Sequence, residues 1–167
     1  PRVLMPLQGG HTQVQLLGGW DNLQNQLLAG RDSSGANGRL TVYWAPLGKV
    51  RFTGSVWHEF AAVESSLITS SLNNGASLGA TWDATAKIRV DALLRREKRD
   101  FSEVSGLNLP GDVSDTTRTA SLGLTYNIRP NIQLGLSAFR DSRTGAPIIN
   151  TGSYRAKGVS FNASAQF

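Results

Sequence analysis

The residues of this chain best suited to catalysis are its two histidines, His11 and His58, together with the carboxylates near them. A hydrolytic site needs a nucleophile beside a histidine, and a carboxylate that orients the imidazole ring. Glu59 follows His58 directly, and because consecutive residues of a strand point to opposite faces, these two side chains diverge. His11 lies far from the long polar loops. We therefore predict no catalytic residues and expect that the protein is not an enzyme.

Metal and cofactor sites also have little support in the sequence. Asp112 and Asp115 share a polar loop and could hold Ca²⁺, but they lack the EF-hand spacing, so a solvated loop is the preferred interpretation. The chain has no cysteine, which excludes disulfides and thiolate metal ligands. Many of its glycines fall inside alternating segments, and no glycine-rich loop leads from a strand into a helix. We predict no metal and no cofactor.

Eight segments of the chain alternate between apolar and polar residues, which predicts β-strands with one apolar and one polar face. No segment has a useful 3.6-residue apolar period, and no stretch approaches the ~18 apolar residues of a membrane-spanning helix. The predicted fold class is therefore all-β. The segments cover approximately residues 11–20, 36–44, 49–60, 76–82, 87–99, 117–128, 131–140 and 158–167.

The connections between these segments alternate in length. Short turns with Pro, Gly or Asp cover residues 45–48, 83–86 and 129–130. Long polar links cover residues 21–35, 61–75, 100–115 and 141–151. An outer-membrane barrel has tight turns at one end and long loops at the other, whereas a soluble sandwich mixes lengths at both ends. We predict an antiparallel up-and-down transmembrane β-barrel, with about eight strands in this chain, in the bacterial outer membrane.

The predicted organisation is a single barrel domain over residues 1–167, in which 1–10 form an N-terminal lead-in and 11–167 carry the strands. The chain is 40% apolar. That fraction is sufficient for a barrel, because only every second strand residue faces lipid. The net charge of +5 suits anionic partners such as lipid phosphates or an acidic polysaccharide. We expect no nucleic-acid partner.

Four cations interrupt the apolar phase at corresponding positions of the last four segments: Arg96, Arg118, Arg140 and Lys157. In the direction away from the short turns, each follows four or five apolar positions of its strand. At ~3.3 Å per residue and a tilt of ~40°, nine residues climb about 23 Å, close to the ~25 Å apolar band of such barrels. Our hypothesis is that these cations form a ring that contacts lipopolysaccharide phosphates. The alternative is that they are solvated strand ends.

Aromatic residues stand near the ends of several predicted strands. We expect interfacial aromatic girdles to contain Trp20, Trp44, Trp82, Tyr126 and Phe167. The last segment alternates up to Phe167, and this pattern resembles the C-terminal signal that the barrel-assembly machinery reads. We predict that Phe161 and Phe167 belong to this assembly signal, with the machinery as a partner.

The opposite phase of the segments is polar and contains most of the charged residues. In a narrow barrel these side chains would fill the interior as a salt-bridge network. In a wider barrel they would line a wet, cation-biased channel suited to anionic or neutral sugars, and the sequence leaves this choice open. The aromatic members could stack on sugar rings or simply fill space. The candidates for contact with the lumen or a sugar are Tyr43, Arg51, Trp57, Arg89, Asp91, Arg95 and Phe139.

Three stretches of these strands resemble a known family. They are Tyr43–Lys49 with Arg51–Thr53, Leu78–Ile88 with Arg95–Glu97, and Ala120–Tyr126 with the turn Arg129–Pro130. Together with the terminal strand, they resemble the C-terminal half of the outer-membrane β-barrel porins encoded with exopolysaccharide biosynthesis operons in Gram-negative bacteria. The resemblance covers most of residues 36–167.

This resemblance implies an outer-membrane barrel that assists the export or assembly of an exopolysaccharide and has no cofactor. Family members are usually much longer than this chain, which implies that the strands here belong to a larger barrel. The alternative is a small structural eight-stranded barrel with a closed lumen and loops that bind surfaces. In both cases the expected partners are outer-membrane lipid, lipopolysaccharide and the assembly machinery, and the first adds a polysaccharide.

Overall fold

In a computed structural model of the chain, antiparallel strands account for most of the described residues. The structure describes residues 3–9, 11–23, 33–62, 68–103, 113–147 and 151–165, with side chains described for 11–20, 34–61, 70–102, 113–147 and 151–165. Within these ranges there are nine strands: β1 (Val3–Gly9), β2 (Thr12–Leu23), β3 (Ser33–Leu47), β4 (Val50–Ala62), β5 (Ile68–Asp83), β6 (Ile88–Glu103), β7 (Ser114–Arg129), β8 (Ile132–Thr144) and β9 (Tyr154–Ala165).

The strands form one sheet in which each strand pairs with the next along the chain. All the pairs are antiparallel, so the connectivity is the predicted up-and-down meander. The eight alternating segments of the sequence correspond to β2–β9. Strands β1 and β9 each have a single neighbour, so the sheet is open over the part of the chain that the structure describes.

Strand β1 is an addition to the predicted set, because residues 1–10 were expected only to lead into the first strand. The segment pairs with β2 from Val3 opposite Gly18 to Gly9 opposite Thr12. Its sequence gives no clear alternation and contains Pro6, which cannot donate a backbone hydrogen bond. Proline is tolerated in edge strands, and β1 is an edge of the described sheet.

Several strands also extend beyond their apolar segments. Strand β5 starts at Ile68, where the sequence predicted a start near Ala76, and β6 continues to Glu103. Of the link predicted over residues 61–75, residues 61–62 therefore belong to β4 and residues 68–75 belong to β5. The backbone ladder needs no apolar side chains, so strands can continue through polar residues once they leave the apolar band. Apolar alternation accordingly finds the ends of β5 and β6 that adjoin the short turn between them, and misses their polar far ends.

Short turns join the strands at one end of the sheet, here called the turn end. They cover residues 48–49, 84–87 and 130–131. In the second of these turns, Thr85 Oγ1 accepts hydrogen bonds from the backbone N–H groups of Lys87 and Ile88, at 3.2 and 3.0 Å. The other ends of the strands, such as residues 23 and 33, 103 and 114, and 144 and 154, lie at the opposite end of the sheet, here called the loop end.

The register gives the sheet two different faces. One row crosses β4–β9 through Val50, Trp82, Val90, Leu124, Leu136 and Phe161, and defines the apolar face. On this face Val159 is 74% exposed and Phe161 68% exposed. The opposite, polar face carries the buried side chains Trp57 (7% exposed) and Asp115 (1%). This distribution is the inverse of that in a soluble protein and is typical of a sheet whose apolar face meets lipid.

Candidate functional site

The polar face begins at the turn end with a charge cluster around Asp83. Its carboxylate accepts hydrogen bonds from Arg51 at 2.8 Å and from Arg89 at 2.7 Å. One row further along, Thr81 donates to Asp91 at 2.8 Å. The two arginine side chains are about half exposed, so these ion pairs contribute little to stability. Their effect is to fix charged groups in place along a face that stays accessible to water.

Trp57 occupies the middle of the polar face and is enclosed by cations and backbone. The guanidinium carbons of Arg39 and Arg95 lie 5.3 and 4.9 Å from the indole centroid, within cation–π range. The ring also lies against Gly75 on the neighbouring strand, where an added Cβ would come within 2.1 Å of it. Arg39 is itself held by Glu59 at 2.8 Å. Trp57 therefore packs within the chain and offers little surface to a sugar.

Asp115 is the most deeply buried charged group on the polar face, towards the loop end. Arg99 contacts it with two nitrogens, at 2.9 and 2.6 Å, and Arg143 donates to the same carboxylate. The three residues tie together β6, β7 and β8 beyond the apolar band, outside the membrane-spanning part of these strands. Burial alone would raise the pKa of Asp115, but the hydrogen bonds from both arginines outweigh it and hold this pKa below its ordinary value.

A second carboxylate, Asp141, links β7, β8 and β9. It accepts hydrogen bonds from Thr119 at 2.8 Å and from the hydroxyl of Tyr154 at 2.9 Å. Tyr154 was not among the predicted lumen candidates. It continues the polar phase of β9 two residues beyond Ala156, so the same period of two could have identified it.

One row of the polar face carries exposed apolar side chains. The register connects Tyr43, Thr53, Gly79, Leu93, Ser121 and Phe139 across β3–β8. Within this row Tyr43 is 42% exposed, Leu93 39% and Phe139 47%. The Phe139 ring lies against Gly158 of the next strand, where a Cβ would come within 2.6 Å of it. Leu93 was not predicted, although it interrupts the polar phase of β6 between Asp91 and Arg95.

All seven predicted lumen candidates lie on the polar face. Tyr43, Arg51, Arg89, Arg95 and Phe139 are exposed, and Asp91 is half-buried. Trp57 is buried, because two guanidinium groups and a glycine backbone cover its ring, so it fills space, which is one of the two roles that the sequence left open.

The predicted lipopolysaccharide contacts lie together on the apolar face near the loop end. Arg96 is directly opposite Arg118 across β6 and β7, and Arg140 is directly opposite Lys157 across β8 and β9. All four side chains are exposed. The structure adds Arg155, which occupies the same phase of β9 as Lys157. The sequence offered that signal as well, since the two residues are separated by one position.

The aromatic residues of the apolar face include one half of the predicted assembly signal. Phe161 lies opposite Leu136 and is exposed, whereas Phe167 lies outside the described residues. Near the turn end, Trp44 stacks on Phe52 with ring centroids 5.4 Å apart. Trp82, also on this face, is 51% exposed. Amphipathic rings at this height suit a membrane interface.

The two histidines and the candidate calcium ligands are not brought into one site. His58 Nδ1 lies 2.5 Å from Asn74 Oδ1 on the apolar face, while Glu59 points to the polar face and pairs with Arg39. Asp112 lies outside the described residues, and Asp115 is occupied by two arginines. In the part of the chain that the structure covers, no cluster of three His, Asp or Glu side chains could hold a metal ion. No helix in that part is long and apolar enough to cross a membrane.

No protein-family model and no curated protein matches the sequence. Among solved structures, the chain is similar to OmpT, an outer membrane protein of Vibrio cholerae, with a TM-score of 0.65 and 9% sequence identity. The alignment covers 98% of this chain and 54% of that protein, so the chain spans about half of its length. The likeness shows an outer-membrane β-barrel fold, as the sequence predicted.

This comparison also corrects the prediction that the chain is not an enzyme. A barrel fold shared with OmpT at 9% identity leaves catalysis open. The divergence of His58 and Glu59 is therefore too weak a ground for excluding activity, and that prediction does not stand.

Proposed function

We propose that these strands form part of a wide outer-membrane barrel whose interior guides an exopolysaccharide during its export or assembly. The observation that carries the proposal is the row of exposed Tyr43, Leu93 and Phe139 on an otherwise polar face. Sugars present apolar C–H faces and polar hydroxyl edges. A wall with aromatic rings among fixed charges and hydroxyl groups matches both surfaces.

The open sheet supports a wide barrel over the eight-stranded alternative. Because the nine described strands alternate in direction, β1 and β9 run the same way and cannot pair with each other antiparallel. The alignment with 54% of OmpT also fits a barrel with more strands than these. In such a barrel the polar face lines a wet channel, in which paired charges remain accessible. The resemblance of three strand–turn stretches to exopolysaccharide-associated porins agrees with this proposal.

The test is the conductance of the full protein in planar lipid bilayers. We expect steady conductance that falls as purified exopolysaccharide is added. The double variant Tyr43→Ala/Phe139→Ala removes two sugar-stacking rings, so the half-blocking concentration should rise about fivefold or more. Tyr126→Ala is the matched control, because it removes an aromatic ring from the apolar face.

A channel that conducts but ignores polysaccharide would refute guidance of a sugar. A folded, inserted protein without conductance would favour the closed structural barrel whose loops bind surfaces.

A further inference from the structure

The cations of the apolar face form a compact patch, here called the basic patch and consisting of Arg96, Arg118, Arg140, Arg155 and Lys157. Two pairs lie directly opposite each other across neighbouring strands. The two pairs are adjacent. Ala120 lies directly opposite Arg140 and two residues along β7 from Arg118, so Arg118 and Arg140 are diagonal neighbours. Directly opposed side chains have Cβ atoms about 5 Å apart, and diagonal neighbours about 7–8 Å apart.

The charges of the basic patch have no compensation within the described chain. On the polar face, Arg39, Arg51, Arg89, Arg95, Arg99 and Arg143 all pair with carboxylates. The apolar face has one carboxylate among its described strand residues, Asp100, and this already pairs with Lys98 at 2.7 Å. Like charges directly opposed in a sheet are destabilising. The patch therefore calls for anions from outside the chain.

A groove joins the basic patch to the apolar band. Its volume is about 500 Å³, and it is lined by Leu78, Leu94 and Ala120 beside Arg96, Arg118 and Arg140. The apolar side chains lie towards the turn end, where the membrane interior would be. A ligand for this site therefore combines an anionic headgroup with hydrocarbon chains.

We propose that the basic patch binds the phosphorylated headgroup of a glycolipid with more than one phosphate, such as lipopolysaccharide, whose acyl chains run along the groove. Arginine forks suit bidentate contact with phosphate, and five cations exceed what a single phosphodiester needs. The proposal goes beyond passage of a polysaccharide and does not depend on it. It uses the opposite face of the sheet.

The test compares two variants that lose the same charge. The full protein is folded in phosphatidylcholine vesicles with and without bisphosphorylated lipid A, and bound lipid A is measured by mass spectrometry after purification. Arg96→Gln/Arg118→Gln should weaken lipid A binding about tenfold or more, because charge-assisted hydrogen bonds are lost. Lys49→Gln/Arg129→Gln, at the turn end, is the control and should bind like the parent protein.

A second variant tests the same lipid A site without removing a cation, in case the glutamine variant does not fold. Ser142 lies directly opposite both Arg118 and Arg155. Ser142→Asp supplies an internal counter-charge, so it should raise stability while lowering lipid A binding. If the basic patch had only a structural role, Ser142→Asp would not raise stability and lower lipid A binding at the same time.

Equal lipid A binding by Arg96→Gln/Arg118→Gln and its control would overturn the proposal. A large excess of inorganic phosphate should leave lipid A bound, because the acyl chains contribute to binding. Complete displacement by inorganic phosphate, with no preference for vesicles containing lipid A, would also overturn it and identify a site for free phosphate.

Discussion

At the scale of single residues, the two faces of the sheet differ in how their charges are compensated. On the polar face, arginines and carboxylates neutralise each other at fixed positions, most completely at Asp115 between Arg99 and Arg143. On the apolar face, the basic patch has no such compensation in the described chain. The polar face can therefore keep its order in water, whereas the basic patch depends on what surrounds the protein.

The strongest single-residue effect should come from Asp115. Asp115→Asn leaves two arginines without their buried counter-charge and should destabilise the folded protein by about 3 kcal/mol. Asp91→Asn is the control and should cost much less, because Asp91 is less buried and its described side-chain hydrogen bond is to Thr81. Urea unfolding of the protein in lipid vesicles measures both.

The pH dependence of this difference gives an independent check. Since the pKa of folded Asp115 is lowered, its contribution is fully present above its ordinary value of 3.8 and is lost as the pH falls through the lowered pKa. The stability gap between the parent protein and Asp115→Asn should thus shrink below pH 3.8. A gap that stays constant into strong acid would contradict the assignment.

The residue patterns predicted which face of the sheet each side chain occupies, but not which side chains interact. The period of two placed the seven lumen candidates on one face and the four cations on the other. Which charges meet depends on strand register, and alternation alone does not reveal register. Asp115 shows the difference: its polar neighbourhood predicted a solvated loop, yet β7 already begins at Ser114 and buries it.

At the scale of elements, neighbouring residues of each central strand face different environments. Strand β7 is the clearest case. Ala120, Leu122 and Leu124 lie on the apolar face, and the alternating Ser121 and Gly123 lie on the polar face. Alternation predicted this core of the strand. It did not predict the polar extensions, because they are held by backbone pairing and not by apolar contacts.

Two adjacent substitutions in β7 test this alternation. Leu122→Arg puts a cation on the lipid-facing side and should cost about 2–4 kcal/mol. Ser121→Arg faces the polar side, so its cost should stay within about 1 kcal/mol. The comparison uses unfolding midpoints in the same vesicles. Equal costs, or a larger cost for Ser121→Arg, would mean that β7 is oriented the other way or does not meet lipid.

At the scale of the whole molecule, the described sheet is an open, up-and-down wall with an exposed apolar face and a polar face that carries the buried Asp115. The sequence predicted this architecture from alternation and loop lengths. It did not predict β1, because Val3–Gly9 lacks alternation, and it left the barrel width open, because width depends on strand number. The central claim is that the apolar face meets lipid while the polar face lines a water-filled interior.

The most direct test of that claim is a single-cysteine scan of residues 117–127 in β7, feasible because the chain has no cysteine of its own. Each variant of the full protein carries one nitroxide label in lipid vesicles, and its collisions with oxygen and with a water-soluble nickel chelate are measured. We expect a period of two, with labels at Ala120, Leu122 and Leu124 accessible to oxygen and those at Thr119, Ser121 and Gly123 accessible to nickel. Uniform accessibility along β7, or alternation in the opposite phase, would contradict it.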